Sequence, residues 1–173
     1  MKKNETLINK VSQSGLITLD LEDFWSNEPI ELFDLKPYLV KELVLMEKPF
    51  REALQQLNWN GYTNKNVAIF CSADALIPMW AYMLVTTYLS KQSANVFFGN
   101  LKEVEEKVLL KNIELAINSK NYTDAKVILK GCGKKPVPAS AYILASKLLL
   151  PQVKSLMFGE PCSTVPVFKK IIM

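Results

Sequence analysis

The chain has 173 residues, 49% of them hydrophobic, with a net charge of +4, three cysteines and no histidine. A chain of this length suits one domain spanning 1–173 and can close its own core without a disulfide or metal. The missing histidine excludes Ser-His-Asp and Cys-His catalysis and removes the commonest zinc ligand.

No apolar run approaches the ~20 residues of a membrane span, and the first residues lack the apolar stretch of a signal peptide. A cytoplasmic setting with reduced thiols is expected, because three cysteines without a Cys-x-x-Cys do not make a disulfide framework. Charge is uneven along the chain. Between Val11 and Leu35 stand Asp20, Glu22, Asp23, Glu28, Glu31 and Asp34 with no Lys or Arg, whereas Lys126 onward holds eight lysines against Glu160 alone. Such a half reads as a solvated lysine face or as a surface for an anionic partner. The lysines are dispersed and no nucleic-acid module is present, so nucleic acid is not the expected partner.

Residues 1–57 read as a lead-in. Gly15–Leu19 and Ile30–Phe33 are β-prone runs around the Asn27/Pro29 turn region, which predicts a small β-hairpin. Leu43–Met46 predicts a further strand. Lys48–Leu57 predicts a helix, with Phe50, Ala53, Leu54 and Leu57 at helical spacing. Val67–Cys71 is a continuous apolar run of the kind found in strands buried on both faces. A helix is predicted from Pro78 through Leu89, a strand at Val96–Phe98, and a helix over 101–117. A strand at Lys126–Lys130, a helix at Pro138–Leu150 and a strand at Val153–Phe158 follow. The tail from Phe168 to Met173 reads as a frayed or docked end.

Segments 58–100 and 118–160 align without a gap. Twelve of 43 positions are identical, among them Tyr62/Tyr122, Pro78/Pro138, Tyr82/Tyr142, Phe98/Phe158 and Gly99/Gly159. This predicts two duplicated βαβ units at a 60-residue offset and an α/β fold with a mainly parallel sheet, the lead-in adding a hairpin and helix. Sites in such sheets form at the carboxyl ends of strands.

Three predicted strand-end loops each carry one cysteine: Cys71–Pro78, Gly131–Pro138 and Gly159–Pro166. If the loops share one rim, Cys71, Cys132 and Cys162 converge as ligands of zinc or an iron–sulfur cluster, with Glu160 as a fourth ligand. Alternatively they are reactive thiols supported by Asp74 and Lys135, or they merely pack beneath turns. The loop with Lys134 and Lys135 also suits an anion. Asp20, Glu22 and Asp23 suit a capped turn better than a cation site.

The runs Gly15–Phe24, Cys71–Met83, Lys130–Pro138 and Phe158–Pro166 resemble an uncharacterised bacterial family of Bacteroidetes, domain of unknown function 2480. The resemblance spans nearly the whole chain, and Gly133 departs from the serine common in that family's pattern. It implies no activity, and it tilts the three-thiol reading toward sulfur or cluster handling. Three functions therefore stand open: an accessory protein with a cysteine-lined pocket, a protein-interaction module or homo-oligomer with structural cysteines, and a small enzyme for an anionic metabolite.

Overall fold

The computed structural model describes residues 15–131 and 133–171. In chain order the strands are β1 (Leu16–Asp20), β2 (Ile30–Asp34), β3 (Leu39–Val40), β4 (Val44–Leu45), β5 (Asn66–Phe70), β6 (Asn95–Phe98), β7 (Lys126–Lys130), β8 (Ser155–Glu160) and β9 (Ser163–Lys169). The described helices are α1 (Glu47–Gln56), α2 (Met79–Ser90), α3 (Leu101–Asn118) and α4 (Ala139–Leu149). The fold is mixed α/β with mostly parallel sheets, and it divides into two compact units.

The first unit takes the chain through Trp25 and then from Leu109 onward. Its sheet runs β1-β7-β8-β9, parallel except for the antiparallel β8–β9 pair. Val127, Leu129 and Leu156 bury one face against Ala141, Ala145 and Leu149 of α4. Leu109, Ile113 and Ile117 of α3 join the same cluster. Small alanines at successive turns let α4 approach the sheet closely.

The second unit is Ser26–Val108, with a sheet β2-β5-β6 that is parallel throughout. Val67 and Ile69 pack with Ala81, Val85 and Leu89 of α2, while Ala68 points to the other face, toward Val104 and Val108. That two-sided burial is what the uninterrupted apolar run predicts. Phe33, Trp59 and Tyr88 stack in this core, and the Trp59 indole N–H donates to Leu54 O at 2.9 Å.

The 60-residue offset reappears in the ladders. Asn66 pairs with Asn95, and Lys126 with Ser155, each partner lying 60 positions on. Gly99 and Gly159 both take positive φ, and Tyr82–Phe98 and Tyr142–Phe158 both meet edge to face.

Two expectations are corrected. Gly15–Leu19 and Ile30–Phe33 do not pair with each other: β1 lies parallel to β7 and β2 parallel to β5, because each βαβ unit needs a flanking strand. The hairpin of this region is instead the short β3–β4 pair. The two βαβ units do not share one sheet. Of the frayed or docked end expected from Phe168, Phe168 and Lys169 take the docked form, closing β9 against β8.

Candidate functional site

Each unit presents a distinct strand end. In the first, β1 ends at Asp20, whose carboxylate accepts from Glu22 N at 3.1 Å and caps the 3-10 turn Leu21–Phe24. Asp20 also meets Lys130 Nζ at 3.0 Å, and Lys130 reaches Glu160 at 3.5 Å. The hydrogen bond and charge of Asp20 raise the Lys130 pKa, assisted by Glu160. Glu160 therefore faces a lysine here.

The loop after β7 closes on a carboxylate of its own chain. Glu22 Oε1 accepts from the backbone N–H of both Lys134 and Lys135, each at 2.7 Å. Lys135 Nζ lies 3.9 Å from the centroid of the Trp25 ring, a cation–π contact. A Cβ on Gly133 would fall 1.7 Å from Glu22 Oε2, so glycine leaves the room this carboxylate occupies. Glu22 thus takes up the Lys134 and Lys135 amides of this loop, and the Asp20/Glu22/Asp23 segment is the capped turn the sequence suggests.

In the second unit, Asp34 accepts from Ser72 N at 2.9 Å, from Ser72 Oγ, and from Lys36 N at 2.9 Å. Burial opposes ionisation of Asp34, but the Ser72 and Lys36 hydrogen bonds prevail and hold its pKa below the usual carboxylate value. Cys71 follows β5 and is half-buried. Tyr82 has its pKa raised, first by burial and then by neighbouring Cys71. Asp74 is exposed.

The thiols divide between the units. Cys71 belongs to the second unit, whereas Cys162 belongs to the first, exposed in the two-residue turn joining β8 and β9. Cys132 lies outside the described residues. Among the described residues, no group of three or more His, Cys, Asp or Glu side chains is placed to hold a metal ion. No described helix is long and apolar enough to cross a membrane.

A different surface emerges beside α4. Phe158 of β8 meets Tyr142 of α4 edge to face at 5.7 Å, so it points to the helix side of the sheet. Val165 of β9 lies directly opposite Phe158, which puts it on that side too. Here Phe158 is 40%, Val165 61% and Val167 59% exposed. Leu129, Tyr142, Ser146, Leu156, Met157, Phe158 and Val167 line a half-open hollow of about 160 Å³. Sequence reasoning missed this face because it missed β9. The alternating apolar Val165 and Val167 carried the signal, and Pro166 between them obscured it.

The family model described as protein of unknown function (DUF2480) matches residues 5–170, and the chain belongs to that family. No curated protein and no solved structure matches it.

Proposed function

We propose that this member of the DUF2480 family is a non-enzymatic protein-interaction module that binds an acidic partner bearing apolar groups. The exposed part of the helix-side face of β8 and β9 carries the reading. Phe158, Val165 and Val167 are adjacent, apolar and 40–61% exposed, a combination that marks interaction surfaces. Charge complementarity favours an acidic partner. The stretch from Lys126 onward has eight lysines and one acid.

The test is affinity capture with wild type and with a Val165→Glu/Val167→Glu variant of unchanged melting temperature. The reading expects an acidic protein retained by wild type, released by raised salt and lost from the variant. Equal retention by the variant contradicts it. So does a self-associating chain whose dimer, rather than a foreign partner, is lost. Cys71→Ser and Cys162→Ser should leave the interaction intact.

A second reading places zinc, an iron–sulfur cluster or sulfur relay at the thiols of a cytoplasmic accessory protein. Its supporting observation is that Cys71 and Cys162 are both free and reach solvent. Anaerobically purified protein should then contain stoichiometric metal or alkylate rapidly near neutral pH. A colourless, metal-free protein with inert thiols ends that reading.

A further inference from the structure

We infer that the outer edge of β6 pairs antiparallel with β6 of a second copy of this chain, joining the second-unit sheets of the two copies. The internal repeat is the starting point. β6 and β8 are equivalent strands, 60 positions apart, parallel to β5 and β7 respectively. After Gly159 the chain turns back, and β9 covers the outer edge of β8. After Gly99 it enters α3 instead, and among the described residues no strand pairs with the outer edge of β6. The exposures record that difference. Leu156 is 1% exposed, whereas its equivalent Val96 is only half-buried. Phe158 is 40% exposed and its equivalent Phe98 64%, although each meets a helix tyrosine edge to face.

The backbone sets the register. The N–H groups of Asn95 and Gly99 donate inward, to Lys65 O at 2.8 Å and Ile69 O at 3.1 Å. By strand alternation, the amides and carbonyls of Val96 and Phe98 face away from β5. The Phe98 carbonyl accepts from Lys107 Nζ on that side, and its second lone pair remains for a ladder bond. The covered edge of β8 then shows which side chains suit the open one. On β9, Val165 stands opposite Phe158, and Phe168 stands opposite Leu156. A second β6, laid antiparallel about a twofold axis at Phe97, offers the same pairings: Val96 opposite Phe98, and Phe98 opposite Val96. Both are hydrogen-bonded pairs, because the outward groups of Val96 and Phe98 meet there. Such an interface is isologous and closes at two copies. Composition agrees. Asn95, Val96, Phe97 and Phe98 include no charge and no proline. The other edge strands of the larger sheets are guarded, β1 by Asp20, β2 by Glu31 and Asp34, and β9 by Pro166 and Lys169.

The test follows the mass of the full chain by sedimentation equilibrium across a concentration series. The inference expects reversible conversion of the 19.6 kDa chain to twice that mass. The Val96 and Phe98 amides should become protected from hydrogen exchange as the dimer forms. Val96→Pro removes an outward N–H and should weaken the dimer at least tenfold at unchanged melting temperature. If that variant does not fold, Phe98→Lys at its exposed position should weaken the dimer equally. Register is read by cross-linking on a Cys71→Ser/Cys132→Ser/Cys162→Ser background. Phe97→Cys should give a disulfide-linked dimer on oxidation, since such non-hydrogen-bonded partners lie ~4.5 Å apart at Cα, within disulfide range. Phe98→Cys should not, because the two copies of residue 98 are displaced along the strands, beyond that range.

A chain that stays monomeric up to millimolar concentration overturns the inference. So does a dimer indifferent to the β6 substitutions, or one that cross-links through residue 98 rather than 97. Val165→Glu/Val167→Glu alters β9 alone, so the dimer should survive it, and its loss there would place the contact on the first unit and overturn the β6 pairing. The interaction reading above stands or falls separately, on partner capture.

Discussion

At residue scale, the two Asp-Leu corners show how similar sequence supports different chemistry. Asp20-Leu21 and Asp34-Leu35 each end a strand, and both leucines are fully buried. Opposite Asp20 stands Lys130, and opposite Asp34 stands Phe70. One carboxylate therefore forms an ion pair, whereas the other relies on the Ser72 hydroxyl and backbone amides. Asp34 has a depressed folded-state pKa, so its contribution to stability is present above the ordinary carboxylate range. It is lost as pH falls below about 4 and through the folded value. Ser72→Ala removes one of the bonds that lowers this pKa. Acid unfolding monitored by circular dichroism should then begin at higher pH than in wild type, with little change near pH 7 beyond the ~1 kcal/mol of one hydrogen bond. An unshifted acid transition contradicts the assignment. None of this was legible in the sequence, because the pairing of Asp34 with Ser72 depends on β2 lying beside β5.

Elements were legible in proportion to their own periodicity. Val67–Phe70 and Lys126–Lys130 declare themselves by continuous apolar runs, and α2 and α4 by Pro78 and Pro138 at their starts. β1 and β2 are readable as strands but not by partner, since a five-residue pattern carries no record of which edge it joins. β9 was hidden by Pro166, which an edge strand tolerates and a central strand does not. The turn after β1 and the loop after β7 are another juxtaposition visible only in three dimensions. Glu22→Ala removes the acceptor for two 2.7 Å backbone bonds. The loss should be about 1–3 kcal/mol, the usual cost of stranding such donors. It should appear as a lower melting temperature and faster amide exchange at Lys134 and Lys135. Unchanged exchange at those amides would show that Glu22 does not secure the loop.

For the whole molecule, the α/β class and parallel pairing were readable, whereas the distribution of the chain over two units was not. The N-terminal strands are interleaved: β1 serves the unit that begins again at Leu109, and β2 serves Ser26–Val108. We propose that this arrangement descends from an internal duplication of a flanking strand plus a βαβ unit, supported by the common 60-residue register of the ladders. Of the three thiols, Cys71 belongs to the second unit and Cys162 to the first, and Cys132 lies outside the described residues. The sheet of the first unit offers a partly uncovered apolar face at Phe158, Val165 and Val167. The most direct measurement is the fraction of an acidic partner retained by Val165→Glu/Val167→Glu relative to wild type at matched melting temperature. The account predicts a loss of at least tenfold. Retention equal to wild type would contradict it.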